Sequence, residues 1–237
     1  MWEPQIQVLS QRYRVLVPEL WGHGQSGPLP AGTVNLDDLA RQILALLDLL
    51  EIQQCAVVGL SVGGMWAAEL ALLAPDRIKF LVLMDTYLGP EPAATRARYF
   101  AMLDQIEKTG IVSPPLLDAI VPLFFRPGSD ASLPAQRGFR KALENWPENR
   151  LRDSVAPLGR IIFGRSDARS RLVGLNRDRT FILTGAHDIP RPPAELREMA
   201  DIIGCACELV PEAGHISNLE NATFVNERLL SSIGQHC

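Results

Sequence analysis

The sequence predicts an α/β protein: a mostly parallel sheet with helices on both faces and a helical segment inserted between two strands. Two observations carry this. Short apolar runs without clean alternation recur along the chain, as in "CAVVGL" (55–60), "FLVLMDT" (80–86) and "TFILTG" (180–185). Strands covered on both faces read in this way. Longer helical patterns separate these runs, which is the order that parallel strands require.

Taken in order, "YRVLVPEL" (13–20) reads as a strand followed by a glycine-rich turn, "WGHGQSG". "NLDDLARQILALLDLLEI" (35–52) places Leu36, Leu39, Ile43, Leu46, Leu47 and Leu50 near a 3.6-residue period, so it reads as an amphipathic helix. Asn35 is suited to cap it, with Asp37 and Asp38 in the first turn. "CAVVGL" is then a buried strand, and "GGMWAAELALLAPDRI" a helix that stops near Pro75. The strands at 80–86 and 180–185 follow, then a last strand in "CACELVPEAG" (205–214) and a closing helix in "ATFVNERLLSSIG".

Residues 88–175 break this rhythm. "TRARYFAMLDQIEKTG", "PPLLDAIVPLFF" and "AQRGFRKALENW" are helical in pattern, and only "GRIIFG" (159–164) comes near a strand. The stretch is too long for an ordinary loop. It reads as a helical cap (88–175) inserted in a core made of 1–87 and 176–237, over the carboxyl edge of the sheet where ligands bind in open α/β folds.

Composition excludes several classes. The chain has 237 residues, 47% hydrophobic, enough for one large domain or two small ones. Its 23 basic and 27 acidic residues leave a net charge of −4, and no long basic run points to nucleic acid or an anionic membrane. "MWEPQIQVLS" has neither the cationic nor the apolar region of a signal peptide, and the apolar windows are broken by charges or glycines. Cys55, Cys205, Cys207 and Cys237 have neither zinc-ligand spacing nor the density of a disulfide scaffold, so a cytoplasmic location is expected.

Gly59-Leu60-Ser61-Val62-Gly63 matches G-x-S-x-G between a strand and a helix. In that setting Ser61 sits on a tight, strained corner as a nucleophile, small residues at 59, 63 and 64 let strand and helix approach, and the Val62 N–H faces the oxyanion of a tetrahedral intermediate. A serine needs a histidine to take its proton and a carboxylate to orient that histidine. Among four histidines, His215 in "EAGHISNLENATF" follows the last strand, at the same sheet edge as Ser61. His187 is the next choice; His23 reads as a turn brace, and His236 near the C-terminus as a mobile residue. Asp188, just past "FILTG", gives the order Ser-Asp-His. Asp85, at the end of "FLVLMD", stays open as the alternative acid.

"VPELWGHGQSG", "VVGLSVGG", "LVLMDT", "LTGAHDIPRP" and "PEAGHISNLENATFV" together resemble the α/β-hydrolase fold superfamily, and "GHISNLE" its 3-oxoadipate enol-lactonase-like and esterase branch. The resemblance implies Ser61, Asp188 and His215 as a triad, and an ester or lactone hydrolase working without metal or cofactor. In one respect the chain departs from the pattern. Members of the family carry further strands and a His-Gly turn ahead of the segment matching "MWEPQIQVLSQRYRVLVPEL", and that turn supplies the second oxyanion amide. Here the matching helix begins at Met1, so the N-terminal strands and that amide are expected to be missing from a trimmed or mis-started chain. A missing central strand would leave backbone groups unpaired at about 1–3 kcal/mol each.

The cap sets the substrate, and Tyr99, Phe100, Met102, Leu103, Leu117, Ile120, Leu123, Phe124 and Phe125 make it apolar, which suits a small apolar ester or lactone. Arg126, Arg137 and Arg140 are read first as solvated surface residues and second as partners for a substrate carboxylate. The readings that compete with a serine hydrolase are a non-catalytic ligand receptor on the same fold, a cofactor-free perhydrolase or haloperoxidase, and a C–C hydrolase. A homodimer is compatible with the sequence.

Overall fold

The computed structural model describes residues 1–131 and 133–236; Cys237 lies outside them. Helix α1 (Glu3–Leu9) opens the chain, with Pro4 in its first turn where a missing N–H is no loss. Helix α2 (Leu36–Leu49) begins as its sequence predicts. Asn35 accepts from the Asp38 N–H at 2.8 Å, and the Asp38 carboxylate accepts from the Asn35 N–H at 3.2 Å, a reciprocal capping box.

Four parallel strands follow in simple spatial order: β1 (Cys55–Leu60), β2 (Ile78–Met84), β3 (Thr180–Gly185) and β4 (Ala206–Val210). Helix α3 (Val62–Leu73) connects β1 to β2, and α9 (Pro193–Ile203) connects β3 to β4. After β4 come α10 (Ser217–Glu220) and α11 (Ala222–Ile233).

Both faces of the sheet are apolar, which explains the unbroken apolar runs. Val57, Leu81, Leu83 and Ile182 point to one side, where they pack with Ala67, Leu70 and Met199 of α3 and α9. Phe80, Val82, Met84, Phe181 and Leu183 point to the other, against Val225 and Leu229 of α11 and the flanks of Trp2 and Leu9. Each large side chain buried this way contributes about 1.5–3 kcal/mol of transfer free energy.

One predicted strand is absent, and the run that comes near a strand in the inserted segment is helical. The run at 13–20 has no regular structure, and Leu16 and Val17 are left 42% and 43% exposed. Its residues favour an extended chain, but a strand exists only against a neighbour, and among the described residues β1 pairs with β2 alone. Residues 159–164 form the end of a helix, because Leu158, Ile161 and Ile162 turn together onto Leu36, Leu39 and Met65 at helical spacing.

Between β2 and β3 the chain is helical: α4 (Ala93–Thr109), α5 (Pro114–Ile120), α6 (Pro134–Glu144) and α7 (Glu148–Arg150), which passes through a π-turn at Leu151–Val155 into α8 (Ala156–Phe163). This segment has a core of its own around Ile106, Leu116, Leu117 and Leu151. Among the described residues, no helix is long and apolar enough to cross a membrane.

Candidate active site

Ser61 occupies the single residue between β1 and α3. Its backbone is at φ 54°, ψ −120°, a conformation that L residues avoid and that costs on the order of 1–3 kcal/mol. Surrounding bonds hold it there: the Ser61 N–H donates to Met84 O at 2.9 Å, and the Thr86 hydroxyl donates to Ser61 O at 2.6 Å. The corner can close only over a glycine. A Cβ on Gly59 would lie 2.3 Å from the Gly63 carbonyl oxygen and 2.6 Å from the Gly64 nitrogen.

The strand tips form a staircase. Ser61 bonds to the end of β2, the Asp85 N–H donates to Leu183 O of β3, and the Ala186 N–H donates to Val210 O of β4. The loops that leave β1, β3 and β4 therefore open on one edge, and they bring Ser61, Asp188 and His215 together. His215 Nε2 is 2.9 Å from Ser61 Oγ, and His215 Nδ1 is 2.9 Å from Asp188 Oδ2. His215 and Asp188 are buried, whereas Ser61 is half-buried, so the hydroxyl end of the chain of bonds is the accessible one. The Phe124 ring meets the His215 ring edge-on, with centroids 5.2 Å apart.

Each member has its own support. The remaining carboxylate oxygen of Asp188 accepts the Arg191 N–H at 2.9 Å. The loop of His215 is held by Glu220, whose two carboxylate oxygens accept the N–H groups of Gly214 and Arg126. Val62 is the first residue of α3, and a first-turn N–H has no acceptor within its helix.

Asp85 takes no part in this chain. It too has a left-handed backbone (φ 46°) and no exposed surface. Its oxygens accept the Gly185 N–H at 2.7 Å and the Ser217 hydroxyl at 2.5 Å. Burial, and then the charge and contact of Asp188, push its carboxyl well above the usual carboxylate range.

The other candidates fall elsewhere. The His23 ring bonds Trp21 O and lies edge-on to Trp146, a brace between the 21–27 turn and the inserted helices; burial lowers its pKa. His187 is exposed, and its main-chain N–H donates to Ala213 O. His236 is held rather than mobile: it bonds Ser232 O and Asp178 O and stacks on Phe80. Arg140 pairs with Asp118 and Glu144, Arg126 pairs with Glu212, and Arg137 is exposed. Burial pushes the Cys205 thiol up to about 11 and the Cys207 thiol upward, which disfavours thiolates there.

Sequence reasoning passed over the supporting residues Glu220, Ser217, Arg191 and Glu91. Glu220 stands within the quoted "GHISNLE" and could have been noticed; Glu91 follows no pattern of spacing.

A family model described as the alpha/beta hydrolase fold matches residues 1–115. RutD of Stutzerimonas stutzeri, named as a carbamate hydrolase, is 29% identical over 244 residues, covering 100% of this chain and 87% of RutD. The 3-oxoadipate enol-lactonase 2 of Acinetobacter baylyi is 26% identical over 230 residues, covering 95% of this chain and 80% of that enzyme. The solved enol-lactonase from Burkholderia xenovorans LB400 matches with a TM-score of 0.83 at 26% identity, over 98% of this chain and 85% of its own. The chain has the α/β-hydrolase fold. The relatives that it resembles over nearly its whole length are named as hydrolases.

Proposed function

We propose that this hydrolase cleaves a small apolar carboxylic ester or lactone through an acyl-enzyme on Ser61. The observation that carries the reading is the unbroken chain of bonds Ser61–His215–Asp188, each at 2.9 Å, with its hydroxyl end accessible.

The chemistry follows from the donors and acceptors. With its proton on Nδ1, His215 donates to Asp188 Oδ2 and accepts the Ser61 hydroxyl proton at Nε2. As Oγ attacks the carbonyl carbon, His215 takes that proton and becomes an imidazolium facing a buried carboxylate. The carbonyl oxygen becomes an oxyanion against the Val62 N–H. Collapse expels the alkoxide, which takes the proton from Nε2, and leaves Ser61 acylated. In a lactone the alcohol stays attached to the acyl group. Water, deprotonated by His215, then attacks the ester carbon, and on collapse Nε2 returns that proton to Oγ, which frees Ser61 and the acid.

Phe124, edge-on to the His215 ring, and the apolar cluster that it joins favour an apolar acyl group. The names of the Acinetobacter and Burkholderia enzymes favour lactones, whereas that of RutD adds carbamates as a second acyl class. The cysteine usage keeps the cytoplasm as the proposed compartment.

Turnover of p-nitrophenyl butyrate by wild type and Ser61→Ala tests the proposal. The variant is expected to fall by at least about 10³-fold, to background, with an unchanged melting curve. Equal turnover by the two proteins would refute it.

A further inference from the structure

A cluster of four charged side chains, three of them buried, lies behind the acid of this site. Glu91 stands just before α4, at the start of the inserted segment, and Arg165 just after α8, near its end. Arg191 and Glu195 belong to the loop after β3 and the first turn of α9. Arg191 Nη2 reaches both Glu91 oxygens, at 2.8 and 2.7 Å, across 100 residues of sequence. Arg165 Nη1 donates to the same carboxylate at 2.8 Å and to Ile162 O at 2.9 Å. Arg191 Nη1 lies 3.3 Å from Glu195 Oε2. The side chains of Glu91, Arg165 and Arg191 are only 1%, 2% and 7% exposed.

Stability alone is a poor account of this cluster. Desolvating two guanidinium groups and a carboxylate costs several kcal/mol per ion, and buried ion pairs often only break even. This one is also incompletely satisfied, because Nε and Nη2 of Arg165 have no hydrogen-bond partner. What a buried, multiply bonded carboxylate does provide is a fixed place for the groups around it. The residue it fixes, Arg191, donates its main-chain N–H to Asp188 Oδ1, the oxygen that His215 does not use.

We propose that Glu91 is a positioning residue: by gripping the Arg191 guanidinium it sets the Arg191 N–H, and through it the orientation of Asp188 toward His215. Because Glu91 and Arg165 bracket the inserted helices, the same carboxylate ties the seat of those helices to the acid. This inference rests on the serine-hydrolase reading for its kinetic consequence but not for its geometry.

Two charge-conserving variants test it. Glu91→Asp withdraws the carboxylate by one methylene, and Arg191→Lys replaces the guanidinium by a shorter ammonium. The direct readout is the low-field proton resonance of the His215 Nδ1–H in ¹⁵N-histidine-labelled protein, assigned by its loss in His215→Gln. The expected result is a resonance that moves upfield or broadens in both variants. It is accompanied by a fall of about tenfold in kcat for p-nitrophenyl butyrate with KM within about twofold, since small misplacements of a catalytic group are costly. Should one variant fail to fold, the other decides. Folded variants with an unshifted resonance overturn the proposal, as does loss of the fold in both, which would make the cluster purely structural. A resonance that moves in a wild-type background with no esterase activity would uphold the positioning role and sink the hydrolase reading instead.

Discussion

Asp85 and Asp188 leave the ends of neighbouring strands, lie in contact, and are both buried, yet only one of them reaches the histidine. Asp188 stands three residues beyond β3, far enough along its turn to offer Oδ2 to His215 and Oδ1 to the Arg191 N–H. Asp85 follows β2 directly, and its left-handed backbone goes with a side chain bonded to Gly185 and Ser217. One carboxylate faces an imidazole, which the proposed reaction turns into a cation. The other is fully buried beside a carboxylate, and these two effects favour its protonated form against the pull of its two neutral donors. A shared residue type at a shared sheet edge is thus divided into two roles by loop length and donor identity.

The largest effect expected from this contrast is kinetic. Asp188→Asn should lower kcat for p-nitrophenyl butyrate by about 10³–10⁴-fold, because an amide in that place stabilises the wrong tautomer of His215. Asp85→Asn should stay within about tenfold of wild type. A reversal of that order would make Asp85 the acid.

A smaller effect should appear in stability against pH. The folded state raises the Asp85 pKa above its ordinary value of 3.8. Its contribution is therefore complete below about pH 4 and is lost as pH rises through the higher, folded value. Asp85→Asn removes that loss, so its urea midpoint should gain on that of wild type from about pH 4 upward. Parallel curves for the two proteins would show that Asp85 is ionised in the fold.

The smallest effect belongs to Ser217→Ala, which leaves one Asp85 oxygen without its donor. A loss of about 1–3 kcal/mol in urea unfolding is expected, with kcat unchanged within about twofold. A large fall in kcat would mean that Ser217 acts on the triad as well.

The same distinction explains what the sequence could and could not convey. The corner at Ser61 is written in six consecutive residues, because the closeness of Gly59 to Gly63 and Gly64 is a local requirement. His215 and Asp188 were reachable from strand order, since all four strands are parallel and their carboxyl ends share one edge. The choice between Asp188 and Asp85 was not, as it turns on which side chain the loops aim at the histidine. The run at 13–20 carries a strand pattern but has no ladder partner among the described residues, and no local pattern reports that. Glu91 was invisible for a related reason: its meaning lies in Arg165 and Arg191, which are 74 and 100 residues away.

The central claim is that Ser61 is a nucleophile activated by His215. Incubation of the purified chain with a fluorophosphonate, followed by peptide mass spectrometry, tests it most directly. The expected result is one phosphonyl adduct on the peptide carrying Ser61, abolished in Ser61→Ala and strongly slowed in His215→Gln. A folded wild-type protein with no adduct at Ser61, or with the adduct on another residue, would contradict it.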